Sequence, residues 1–311
     1  MYYPLLRARQ FELIALRELA NEDKLQPYIT PILEPVKETL NNLKLAYKIF
    51  IERKQTTYLI VNPKVGDATG DKIYFLNFLS EYNEETLLAA FYYCDNADYI
   101  INCIDSFNLK NCMLICSNDV SATNKDFQKI VNQEEITKVN MENPERNREL
   151  KRYVSGLKKT YIRLDDFFEK QARNSDFLQI TEHKFSEEHL YYDEEGFNGF
   201  ADYTILPSEF TDGGSTPRAV VIHLTFLDDN NQIWIKHFTS ETNDSIANVQ
   251  GKFSEAAEKA VTYCHEHKLT NSAIDELKYY YDDQHYPGLG MVKKISIKNH
   301  LLVIQSYLNK K

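Results

Sequence analysis

The sequence predicts a (β/α)8 TIM-barrel-like α/β fold in a single domain, and two observations carry that expectation. The first is a series of eight short β-type runs: YITPILEP (28–35), TYLIVNP (57–63), LLAAFYYCD (87–95), NCMLICSND (111–119), ITKVNMEN (136–143), TYIRLDD (160–166), GFADYTILP (199–207) and RAVVIHLTF (218–226). The second is their spacing. Six of the seven steps between starts span about 19–30 residues and one about 39, enough for a strand, a helix and two loops. A chain of 311 residues suits one such domain, because these barrels use about 250 residues.

The intervening segments fit in order. Phe11, Ile14, Ala15 and Leu19 share one helical stripe within 9–21, which reads as an N-terminal cap (1–27) over the barrel bottom. Residues 36–54 are amphipathic. Residues 71–82 read as a helix after a loop, GDATGD (66–71), which lacks the ending of a phosphate-binding loop. Further helices are expected at 96–107, up to Asn132 with Ser121 or Thr123 as cap, and at 144–156, with Pro at the start and Gly at the end. The 167–198 connection is long, charged and aromatic, a candidate active-site lid or partner surface. The barrel and a β-hairpin (232–240, after a turn at Asp229-Asn230) then occupy 28–240, and a C-terminal helical part fills 241–311.

Composition narrows the function classes. The net charge is −10, and Lys293-Lys294 and Lys310-Lys311 are the basic pairs that stand out, so a broad nucleic-acid surface is not expected. Charges interrupt the N-terminal apolar run, and no run is long enough to span a membrane. Five Cys, an odd number without a signal sequence, suggest reduced thiols and a cytoplasmic location. Cys112 and Cys116 share one strand face and read as buried thiols.

Side-chain parity divides each strand into two sets. Lys138, Asn140 and Glu142 form the polar set of 136–143, and Arg163 and Asp165 that of 160–166. Glu34 shares a set with Thr30 and Ile32; His223 shares one with Val221 and Thr225. With the apolar sets facing the helices, Glu34, Lys138, Glu142, Arg163, Asp165 and His223 are expected to point into the barrel, with Asn62, Asp95 and Asp202 at its rim. Such a lining is either a ligand or catalytic pocket or a structural network of ion pairs.

Several chemistries suit those residues. Glu34, Glu142 and Asp165 could converge on a divalent cation such as Mg²⁺ or Mn²⁺ for phosphoester hydrolysis, or a carboxylate pair could serve as acid and base. His223 and His237 invite pairing as catalytic or ligand-binding groups. A two-residue turn sets 223 opposite 236 and separates the two rings; a one-residue bulge brings them together.

The segments 2–19, 29–37, 162–177, 185–192, 199–205, 219–226, 235–241 and 252–260 together resemble the Beta protein family, most specifically across 162–241. The resemblance singles out Arg7, Arg9, Gln10, Glu12, Glu34, Asp165, Gln171, Arg173, Asn174, Asp202, His223 and His237. It places Arg173 and Asn174 in the long connection as ligand-binding candidates. It also implies a defence-type or mobile-element setting, in which the chain acts as a ligand-binding or regulatory subunit with a co-encoded, nuclease-like partner. The alternative is a barrel enzyme acting on a nucleotide or another phosphorylated small molecule.

Overall fold

The computed structural model describes the chain from Met1 to Lys311 apart from Ala68, Asp71, Lys72, Asn83, Glu84, Gly214, Ser215 and Thr216. The expected helix start at Asp71 and part of the 66–71 loop therefore lie outside the described residues. In chain order the first elements are β1 (Leu5–Leu6), α1 (Gln10–Asn21), β2 (Ile32–Leu33), α2 (Asn41–Glu52), β3 (Thr57–Ile60), α3 (Tyr74–Tyr82), β4 (Leu87–Tyr92) and α4 (Ala97–Phe107). Then come β5 (Cys112–Cys116), α5 (Lys125–Val131), β6 (Ile136–Glu142), α6 (Arg148–Ser155), β7 (Thr160–Asp165), β8 (Glu182–Ser186), α7 (Glu188–Tyr191) and β9 (Gly199–Asp202). Among the described residues, β1 to β7 and β9 form one eight-stranded sheet in that order, every pairing parallel.

The sheet curls until its two ends meet. Tyr2 bridges both Ile29 and Phe200. The Tyr3 N–H donates to the Phe200 carbonyl (2.9 Å), and the Phe200 N–H donates to the Met1 carbonyl (3.1 Å). Gly199 makes this approach possible: a Cβ there would stand 2.6 Å from a Tyr3 ring carbon. The fold is thus (β/α)8 barrel-like, as the periodicity predicts.

The numbering of the strands differs from the sequence reading. The N-terminal segment is not a cap but the first β/α unit, so the first seven predicted runs are strands two to eight. The run 218–226 lies outside the barrel. A two-residue strand inside an apolar stretch, MYYPLL, carries no periodicity that separates it from the helix that follows.

Two cores result. Leu5, Ile32, Ile60, Ala90, Met113, Ile115, Ile162, Leu164 and Ala201 pack in the lumen. The alternate residues, such as Leu33, Leu59, Leu114, Val139 and Tyr161, pack outward with the helices.

The remaining chain forms β10 (Val221–Leu227), β11 (Ile233–Thr239), α8 (Val249–Glu266), α9 (Ser272–Asp282) and α10 (Leu289–Leu308). β10 and β11 form the expected hairpin, and β8 completes an antiparallel sheet in the order β10-β11-β8. The long 167–198 connection thereby contributes a strand. Tyr263 of α8 packs on Phe226 and Phe238 from one face. On the other, His300 of α10 meets Thr225 at 3.2 Å.

Candidate functional site

Enzymes of this architecture work at the C-terminal ends of the strands, and polar lumen-facing side chains gather there. Glu34, two residues beyond Ile32 on the same face, is fully buried. It pairs with Arg7, which follows β1. Its carboxylate also accepts from the Tyr92 hydroxyl (3.1 Å) and the Lys64 backbone N–H (2.9 Å). Arg7 donates in addition to the Ser208 carbonyl and lies 5.4 Å from the Tyr203 ring centroid. The Lys64 ammonium sits 4.3 Å from the Tyr92 ring centroid. Among the described residues it has no carboxylate or hydrogen-bonding partner.

Glu142 ends β6 on the lumen face, half-buried. Burial pushes its carboxyl above the ordinary carboxylate range, against the pull of Lys64, Arg7 and a hydrogen bond from the Tyr203 hydroxyl. One step down the same strand face, Asn140 is fully buried, and neither its amide nitrogen nor its oxygen has a hydrogen-bond partner among the described residues. A buried amide left this way costs about 1–3 kcal/mol, a cost that a polar ligand or a solvent molecule in the lumen would relieve.

The backbone is strained at this end of the barrel. Ala8, Asp95, Asn143 and Thr204, each shortly after a strand, have φ of 51°, 53°, 44° and 58°. Left-handed backbone at a β-branched Thr costs about 1–3 kcal/mol and tends to occur where a site is built. Gly66, at φ 88°, lets the Lys64 loop lie against the chain after β2: a Cβ would stand 2.2 Å from the Val36 carbonyl oxygen.

The residues expected from sequence divide among four places. Glu34 and Glu142 both lie at the mouth, with Arg7 as a common neighbour, and Asn62 braces it by bonding both ways to the Tyr92 backbone at 2.8 Å. Lys138 faces the lumen, 5.6 Å from the Tyr58 ring centroid, but near the opposite end. Four residues of strand separate it from Glu142, about 13 Å, so the two do not share a pocket.

Arg163 and Asp165 face outward, contrary to expectation, because Ile162 and Leu164 take the lumen. There Arg163 binds Asp165 (2.7 Å), Glu195 (2.6 Å) and Glu188. Asp165 therefore cannot join Glu34 and Glu142 around a cation. Among the described residues no group of three or more His, Cys, Asp or Glu side chains is placed to hold a metal ion. Asp202 also turns outward, into a buried network: the Tyr2 hydroxyl donates to it (2.5 Å), and His300 stands 3.5 Å away. Asp95, outside the lumen, accepts from the Tyr93 hydroxyl (3.0 Å) and Asn124 (3.0 Å). Parity alone cannot say which set faces in; a barrel lumen admits apolar layers as readily as polar ones.

His223 and His237 lie outside the barrel, on adjacent strands and directly opposite one another. The connecting loop is residues 228–232, not the expected two-residue turn, and their Nδ1 atoms are 2.6 Å apart. Arg173 is exposed, and Asn174 donates to the Ala219 carbonyl at 3.0 Å. Cys112 and Cys116 are buried thiols, pushed up to about 12 by burial.

Tyr92, Tyr203 and Lys64 are the mouth residues the sequence reading missed. Counting parity beyond Ala90 and Ala201 reaches the two tyrosines; no sequence signal marks Lys64. No protein-family model matches the chain, and no curated protein matches it significantly. Among the described residues no helix is long and apolar enough to cross a membrane.

Proposed function

We propose that the barrel mouth binds a small phosphorylated molecule and that Glu142 donates a proton to it. The observation that carries this reading is the juxtaposition of Glu142, a carboxyl that burial pushes toward its protonated form, with Lys64, an ammonium that has no carboxylate partner among the described residues. An anionic ligand group supplies the partner that Lys64 lacks. A raised pKa keeps more of the carboxyl in the acid form that a proton donor needs. The Glu34–Arg7 pair orders the floor, and Tyr203 orients the Glu142 carboxyl.

The test screens the full chain against nucleotides and sugar phosphates by thermal shift, then follows turnover of any binder. Glu142→Gln keeps the shape and removes the titrating proton. It should retain binding and lose turnover by about 10²–10⁴-fold. Full activity in Glu142→Gln, or no phosphorylated binder at all, would sink the proposal.

The Beta family resemblance adds a protein partner, with the chain as ligand-binding subunit of a defence or mobile-element module. This second reading is favoured by Ile246 and Tyr279, 58 % and 63 % exposed, on segments flanking a groove of about 620 Å³. Co-purification with the neighbouring gene product, lost in Tyr279→Glu, is the expected result; no complex with wild type would remove the reading.

A further inference from the structure

A second cavity, of about 330 Å³, lies outside the barrel between the 168–177 segment, β10 and the first turns of α10. That volume is at the small end of ligand pockets. The segment after β9 divides it from the mouth: Tyr203 packs with the lumen residues, whereas Ile205 and Leu206 line the cavity.

Its chemistry is specific. Phe168, Phe177, Leu206 and Val292 form apolar walls, and His223 stands among them, with ring centroids 5.2 Å from Phe168 and 4.9 Å from Phe177. The Nδ1–Nδ1 bond to His237 occupies one nitrogen and fixes the ring. Among the described residues, Nε2 has no hydrogen-bond partner, and its side chain lines the cavity. Burial pushes the His223 imidazole down to about 3, with a smaller push from His183, so the ring is an uncharged polar group at neutral pH.

The two lysines on the cavity wall are already answered. Lys170 pairs with Glu209 at 2.9 Å and Lys293 with Glu12 at 3.2 Å. The cavity therefore offers no net charge to a ligand. Each of its two carboxamides has committed one of its two N–H groups, Asn174 to the Ala219 carbonyl (3.0 Å) and Gln171 to the Glu169 carbonyl (3.0 Å). The carboxamides thus keep two acceptor oxygens and two N–H donors beside one neutral imidazole and two phenyl rings. The complementary ligand is flat, apolar on its faces, uncharged, and carries both N–H donors and acceptor nitrogens or oxygens at its edge.

We propose that this cavity is a second ligand site, for an uncharged amino-bearing heteroaromatic ring of the adenine or cytosine kind. His223 and Asn174 are its recognition residues, and His237 is a positioning residue acting through His223.

Isothermal titration of the full chain with adenosine, cytidine and purine riboside tests this. Adenosine or cytidine should bind. Purine riboside, which lacks the exocyclic amine, should bind at least about tenfold more weakly than adenosine, the effect of one lost hydrogen bond. Leu289→Trp fills the cavity from its exposed edge, so its fold is at little risk; it should abolish binding. His223→Ala should weaken binding about tenfold, and Lys64→Ala, at the mouth, should leave it unchanged. Absence of adenosine and cytidine binding at about 1 mM would overturn the proposal. So would equal affinity for purine riboside, or unaltered binding in Leu289→Trp. These readouts do not involve turnover, so they succeed or fail independently of the barrel-mouth reading.

Discussion

Two of the places where this molecule gathers charge, α10 and the barrel mouth, differ in how fully that charge is answered. On α10, Lys294 is 1 % exposed and donates to Glu276 (2.6 and 2.5 Å) and Glu18 (3.0 Å). Lys298, one turn on and also buried, donates to Glu18 (2.9 Å) and Glu22 (2.6 Å). Every contact ends on a carboxylate. At the barrel mouth, Glu34 has Arg7, but among the described residues Glu142 and Lys64 have no ion pair. A complete set of pairs holds helices together and leaves nothing for a ligand to bind. An incomplete set is a net cost to the fold, and it leaves groups free to be satisfied by something that arrives.

The largest effect separates the two on stability. Lys294→Ala strands Glu276 and part of Glu18 between α1, α9 and α10, and breaking a buried pair this way costs about 3–5 kcal/mol. Urea denaturation measures it; a loss below about 1 kcal/mol would mean that solvent screens these charges and the comparison fails. Arg7→Ala is the corresponding break at the mouth. Glu34 keeps the Tyr92 hydroxyl and the Lys64 N–H, so the expected loss is smaller, about 2–3 kcal/mol.

How much of this was legible in the sequence follows from what each residue depends on. The β/α repeat was readable because such units impose a period of their own, although the run 218–226, outside the barrel, takes the place of one strand in the count of eight. The first strand was not, since Leu5–Leu6 is too short to show alternation. Glu34 and Glu142 were readable as lumen residues at strand ends. Arg163 and Asp165 were assigned to the wrong side, because alternation gives two sets and only tertiary packing tells which is inside. The His223–His237 pairing hung on loop length. Five residues, with Asp228 accepting from the backbone of Asn230 (2.9 Å) and Gln232 (2.8 Å), replace the two that a tight turn uses. The charged partners of Arg163, Glu188 and Glu195, come from a connection whose path no local pattern fixes.

That outer Arg163 cluster is intermediate between the two regions: one cation faces three carboxylates. Burial, aided by Asp165 and Glu195, raises Glu188 from 4.5 to about 7, although Arg163 pulls the other way. The folded state therefore holds the Glu188 proton more tightly than the unfolded chain does. The associated stability is fully present below pH 4.5 and is lost as pH rises through about 7. Wild type should lose about 1–2 kcal/mol across that window relative to Glu188→Gln, after allowance for solvent screening. Denaturation curves at several pH values check it. Parallel curves for the two proteins would place this cluster with the fully paired α10 network instead.

The smallest stability effect carries the sharpest functional contrast. Lys64 is exposed and holds no ion pair among the described residues, so Lys64→Ala should change stability by no more than about 0.5 kcal/mol. If the ammonium waits for a ligand anion, the same substitution should weaken binding of a phosphorylated ligand about tenfold. It should also act on Glu142. Lys64 pulls the Glu142 carboxyl downward against burial; without it, that carboxyl keeps its proton to higher pH. The activity lost on the alkaline side as Glu142 ionises should then persist to higher pH in Lys64→Ala than in wild type. A pH profile that stays in place while affinity falls would mean that Lys64 serves the ligand alone. A substitution that destabilises the fold without touching affinity would make the mouth a structural network like that of α10.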